Sequence, residues 1–175
     1  MSEEIKIEKS LDKAVKYELL IPQISALIEG ERDLIANLSN IAAALKYGMD
    51  FFWVGFYFVK GQELVLGPFQ GPVACTRIGF GKGVCGACWK EKSAIIVDNV
   101  EKFPGHISCS SESKSEIVLP VFDAGQNVAM IFDIDSEKLS LFDKTDENFL
   151  LKIVRMIERK IVSGEPSGSK VIHNK

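Results

Sequence analysis

The sequence predicts an α+β domain, an antiparallel sheet with helices packed on one face. Apolar residues recur at helical spacing near both ends of the chain. The stretch between them is a series of aromatic and β-branched runs broken by short glycine-bearing turns. Helices flanking a hairpin-rich middle suit that architecture, and its inter-strand loops are where a site is expected.

Leu19, Leu20, Ile24, Leu27 and Ile28 predict the first helix, with Pro22 as a kink or late start and Gly30 as the stop. Leu34, Ile35, Leu38, Ile41, Ala42 and Leu45 predict a second, ended by Gly48. The pattern changes at Phe51. Residues 51–59 and 63–66, separated by Lys60-Gly61-Gln62, read as a hairpin. Gly79, Gly81, Gly83 and Gly86 punctuate a loop and a short helix near 83–91, and residues 94–97 form another strand. Residues 98–114 read as a long loop, a length that is often functional. Residues 116–122 and 127–134 form a second hairpin, and an amphipathic helix runs from Thr145 to about Val162. Residues 1–162 are expected to be a single domain. Residues 163–175, rich in Gly, Ser and Pro at their start, are expected to be a disordered tail.

Composition excludes several classes. A net charge of −3 and a pI near 5.5 give no basic footprint for nucleic acid. No apolar run reaches the ~18 residues of a membrane span. The N-terminal residues lack the apolar core of a secretory signal, so the expected compartment is the cytoplasm, where thiols stay reduced.

The chemistry concentrates in four cysteines, Cys75, Cys85, Cys88 and Cys109. A single cysteine is most often inert core, but four within so short a stretch favour chemistry. Cys85 and Cys88 fall near a helix N-terminus, where the helix dipole would lower a thiol pKa. Cys109 lies in a polar loop three residues after His106. One reading is a four-thiolate zinc site seeded by Cys85-x-x-Cys88. Another is thiol redox chemistry, in which a sulfenic acid is captured as a disulfide. Glu116, Asp133 and Asp135 lie in apolar strands. Asp133 and Asp135, two apart, share a face. Strand-end solvation would explain them, but so would a converging acid cluster that keeps one carboxyl protonated. Trp53 and Tyr57 share a face of the first strand, as core or as the wall of a substrate cage.

Seven ordered motifs then carry a resemblance: Trp53-Val-Gly-Phe-Tyr57, Leu66-Gly-Pro-Phe-Gln-Gly71, Ala74-Cys-Thr-Arg-Ile78, Gly81-Lys-Gly-Val-Cys-Gly86, Gly105-His-Ile-Ser-Cys109, Ser115-Glu-Ile-Val-Leu-Pro120 and Phe132-Asp-Ile-Asp-Ser136. From about Leu20 to Arg159 the chain resembles the free methionine-(R)-sulfoxide reductases, small GAF-fold enzymes. The resemblance implies a six-stranded antiparallel sheet, a homodimer, and reduction of free methionine-(R)-sulfoxide with no bound cofactor or metal. It implies Cys109 as nucleophile, Cys75 as resolving thiol and Cys85 as the third redox cysteine, with thioredoxin as external reductant. Glu116, Asp133 and Asp135 would surround the sulfoxide oxygen, and Trp53 and Tyr57 would close the pocket. Two positions depart from the family pattern. Cys88 stands where a small or apolar residue is usual, as an inert variant or a fourth exchanging thiol. Ser110 replaces an acid beside the nucleophile. The rival to catalysis is a GAF domain that only senses a small molecule.

Overall fold

Alternation along three neighbouring strands splits the molecule into two apolar layers. The computed structural model describes residues 5–107 and 110–164. Helices α1 (Lys13–Ile28) and α2 (Leu34–Met49) precede the hairpin β1 (Trp53–Lys60) and β2 (Glu63–Gln70). Strand β3 (Arg77–Gly79), helix α3 (Gly83–Glu91), strand β4 (Ile95–Val97) and a 3-10 turn at Val100–Lys102 follow. Strands β5 (Ser115–Phe122) and β6 (Val128–Ser136) and helix α4 (Lys144–Gly164) complete the order. The sheet runs β3-β2-β1-β6-β5-β4, antiparallel throughout.

Val54 and Phe56 of β1, Ile117, Leu119 and Val121 of β5, and Met130, Phe132 and Ile134 of β6 face α1, α2 and α4 and form the larger core. Phe56 and Phe132, register partners on β1 and β6, stack at 4.7 Å there. Side chains at the intervening positions point to the opposite face, where Trp53, Tyr57, Val118 and Ile131 pack with Cys85 and Cys88 of α3 in a second cluster. The three long helices thus share one face, and short α3 covers part of the other, on the side of the acids.

Helix starts follow local chemistry. Asp33 accepts from the Ala36 amide at 2.8 Å, capping α2. Asp143 and Asp146 bond reciprocally at the start of α4: Asp146 N–H donates to Asp143 Oδ1 and Asp143 N–H to Asp146 Oδ2, with Thr145 N–H also donating to Asp143. Buried Asp146 also accepts from Lys13 Nζ at 2.5 Å and from Tyr17 Oη at 2.9 Å, tying α1 to α4.

Some boundaries differ from the sequence reading. Pro22 neither delays nor ends α1. It is exposed, so the carbonyl its missing N–H leaves unpaired can be solvated. Gly48 lies inside α2, which ends at Asp50 in the left-handed conformation. A Cβ at Gly48 would sit 3.0 Å from Leu20, so this glycine serves the close approach of α1 and α2. Strand β2 runs to Gln70, and the three-residue β3 is an element the sequence pattern does not predict. Helix α4 continues to Gly164, past the expected start of the tail. Residues 165–175, and with them most of that expected tail, lie outside the described residues, as does Cys109.

Candidate active site

Strand register builds the site. Asp135 is the Cα partner of Trp53 on β1 and of Glu116 on β5, and Asp133 is the partner of Gly55 and Val118. All three carboxylates therefore stand on the α3 face of adjacent strands, as the sequence pattern allowed but could not require. Glu116 and Asp133 are each 6% exposed, and Asp135 is half-buried at the rim. Trp53 lies flat on the sheet beside them. A Cβ at Gly55 would come within 2.3 Å of its ring and one at Gly71 within 2.5 Å, so both glycines make room for the indole. Trp53 Nε1–H donates to the Pro72 carbonyl at 3.0 Å, and the ring stacks against Tyr57 at 6.1 Å and Phe69 at 5.4 Å.

From the other side α3 lowers Cys85 onto the acids. Gly86 permits this approach, because a Cβ there would meet the Gly79 carbonyl at 2.6 Å. The Cys85 thiol donates to Glu116 Oε1 at 3.9 Å, long but within reach for sulfur. A cavity of about 50 Å³ opens above these groups. Trp53, Tyr57, Cys85, Glu116, Asp133 and Asp135 line it, and Lys82, His106 and Ile107 stand at its edge.

The electrostatics follow from crowding acids away from water. Burial, then the neighbouring carboxylates, push the Glu116 and Asp133 pKa values well above the usual carboxylate range. Burial raises Asp135 to about 6, against a counter-effect from the Ser113 hydroxyl, which donates to Asp135 Oδ1. One oxygen of Asp133, Oδ1, is buried with no hydrogen-bond partner among the described residues. The Tyr57 phenol is held neutral by burial and by the acids facing it.

Cys85 departs from expectation. Its position at the start of α3 predicted a lowered pKa, but burial and the charges of Asp133 and Glu116 push it well up. Low dielectric and two facing acids outweigh the dipole of a nine-residue helix. Cys88, fully buried in the apolar cluster, is likewise pushed up, first by burial. Cys75 is disulfide-bonded, whereas Cys85 and Cys88 are free. The four-thiolate zinc reading therefore does not match this arrangement: the donors that draw together among the described residues are Cys85, Glu116 and Asp133. Sequence reasoning missed Ser113, Lys82 and the role of Gly55. Ser113 sits in a polar loop with no periodicity, and only the fold brings it to Asp135.

Comparison with known proteins gives a consistent picture. A GAF-domain family profile matches residues 30–158. The chain is 54% identical over 159 residues to GAF domain-containing protein A of Dictyostelium discoideum, covering 90% of this chain and 99% of that one. It is 38% identical to the free methionine-R-sulfoxide reductase of Escherichia coli, over 87% and 93% of the two chains. The crystal structure of the free methionine-R-sulfoxide reductase of Neisseria meningitidis in complex with its substrate superposes with a TM-score of 0.89 at 44% identity, covering 93% of this chain and 98% of that one.

Proposed function

We infer, from the premise that this chain belongs to the free methionine-R-sulfoxide reductases of the GAF-domain family, how its site carries out the reduction. The observation that carries this reading is the trio Glu116, Asp133 and Asp135 gathered under Trp53 and Tyr57 in one small cavity.

A sulfoxide sulfur becomes a good electrophile when its oxygen is protonated or strongly hydrogen-bonded. Glu116 and Asp133, whose pKa values burial pushes well up, are suited to supply that proton. Asp135, near 6, is largely ionised at neutral pH. Its charge helps hold the Glu116 proton and offers a partner for the substrate ammonium. The Cys109 thiolate attacks sulfur as the oxygen takes up a proton. The protonated oxygen then passes from the methionine sulfur to the Cys109 sulfur as the bond between the two sulfurs breaks, so that methionine departs and Cys109 is left as a sulfenic acid. The Cys75 thiol then displaces that oxygen as water, forming a disulfide. The disulfide at Cys75 supports its role as the resolving thiol.

A cytoplasmic dithiol such as thioredoxin resets the pair by exchange, so no bound cofactor takes part. Assembly as a homodimer belongs to the same reading. Cys85, against the acids and with a raised pKa, is better suited to donate a hydrogen bond than to attack.

An assay of each methionine sulfoxide epimer, free and peptide-bound, with a thioredoxin recycling system tests the proposal. Turnover of the free R epimer alone is expected. Equal turnover of the peptide-bound form, or none of the free R epimer, overturns it.

A further inference from the structure

We propose that the acid pocket is also a divalent-cation site, in which Cys85, Glu116 and Asp133 form a three-donor cage that takes up zinc and, when filled, excludes the sulfoxide. The exclusion rests on the reductase reading above, whereas the binding does not.

The three donor atoms come from three different elements, α3, β5 and β6, and all lie within 4.8 Å of one another. Cys85 Sγ and Glu116 Oε1 are 3.9 Å apart. Zinc bonds of about 2.3 Å to sulfur and about 2.0 Å to oxygen, at a tetrahedral angle, place such a pair roughly 3.5 Å apart. A movement of about 0.4 Å, within reach of a rotamer adjustment, would complete that part of the cage. A second sign is at Asp133 itself, whose Oδ1 is buried with no hydrogen-bond partner among the described residues.

Donor chemistry selects the ion. One thiolate with two carboxylates is too soft for magnesium or calcium and suits zinc or its analogue cobalt. Three protein donors leave a fourth position open, toward the cavity that all three line and through which an ion could enter. Asp135 and the Tyr57 phenol flank that opening. This cage differs from a four-thiolate site. It omits Cys88, buried in the apolar cluster, and the disulfide-bonded Cys75. It also overlaps the groups assigned to the sulfoxide oxygen, so cation and substrate would compete.

The test uses chelator-treated protein in its disulfide form, where Cys85 and Cys88 are the free thiols. Cobalt(II) titration is expected to give one ion per chain with a thiolate-to-cobalt charge-transfer band, displaced by zinc. Cys85→Ser should remove the band. Asp133→Asn and Glu116→Gln should each weaken affinity by roughly tenfold or more, while Cys88→Ser leaves band and affinity unchanged. Circular dichroism establishes that each variant is folded. A missing band in the wild type, or one that survives Cys85→Ser, overturns the cage. Zinc that binds without raising the apparent KM for free methionine-R-sulfoxide overturns the exclusion. Absence of turnover in metal-free wild type would instead count against the reductase reading and leave the cobalt spectrum to decide the cage.

Discussion

Glu116 and Asp135 face each other across β5 and β6 as Cα partners, two carboxyl side chains set side by side on one sheet face. Directly opposed like charges destabilise a strand pair. The arrangement persists because the two need not both be ionised: burial pushes the Glu116 pKa well above the usual carboxylate range, while Asp135 at the rim receives the Ser113 hydroxyl. The asymmetry suits the proposed division between a proton donor and a charge, and its consequences can be measured.

The thiol assignments come first. Cys109→Ser should abolish turnover of free methionine-R-sulfoxide in a thioredoxin-coupled assay. Cys75→Ser should release about one methionine per chain and then stall, because sulfenic acid formation precedes the resolving step. Wild-type turnover by Cys109→Ser would remove it as the nucleophile.

The acids carry a pH signature. Asp135 has a folded pKa near 6 against an ordinary 3.8, so between these values the folded state binds more protons than the unfolded one. Stability therefore falls as pH rises from about 4 to about 6, by up to about 1.4 kcal/mol per pH unit across that window. Glu116 and Asp133, also raised, act in the same direction. Asp135→Asn should flatten the Tm profile in that window and slow single-turnover reduction more than it weakens substrate binding. Unchanged single-turnover kinetics would exclude Asp135 from supporting proton delivery.

Gly55 is expected to tolerate no side chain. Its added Cβ would overlap the Trp53 ring, whose neighbours Tyr57, Phe69 and Gly71 leave little room to retreat. Gly55→Ala should lower stability by about 1–3 kcal/mol and raise KM, with a change in Trp fluorescence marking the displaced indole. A variant with wild-type KM and emission would show that Trp53 does not wall the pocket.

Cys88 separates an inert variant from a working thiol. It is fully buried among apolar side chains, away from the cavity lining. Cys88→Ser should keep wild-type turnover and cost about 1–2 kcal/mol for burying a hydroxyl. Loss of recycling without loss of the first methionine would instead place it in disulfide exchange.

Asp146 ties the first helix to the last. Removing it in Asp146→Ala strands the buried Tyr17 hydroxyl and takes one acceptor from Lys13, which keeps the Leu141 carbonyl and Asp143. Lys13 is partly exposed and can reach water, so the expected cost is about 2–3 kcal/mol, below that of breaking a fully buried pair. Urea unfolding measures it, and kcat should be little changed in the protein that remains folded.

Much of the fold was legible because hydrophobic periodicity is local. The aromatic and β-branched runs in residues 51–59, 63–66, 116–122 and 127–134 named the strands of both hairpins, and the apolar stripe of α4 named the last helix. Strand β3 escaped because three residues hold too little pattern. The end of α2 was misplaced because Gly48 answers to Leu20, nearly thirty positions away, rather than to its own helix.

The sequence by itself named the candidate residues: the clustered cysteines, the three acids embedded in apolar strands and the aromatic pair four residues apart. Tertiary structure alone decided their state. Register placed Asp135 between Trp53 and Glu116, and α3 lowered Cys85 onto the carboxylates. Burial then reversed the expected direction of the Cys85 pKa. Local spacing specifies faces and periods, but a proton's affinity depends on the charges and solvent around it, and those are set by segments distant in the chain.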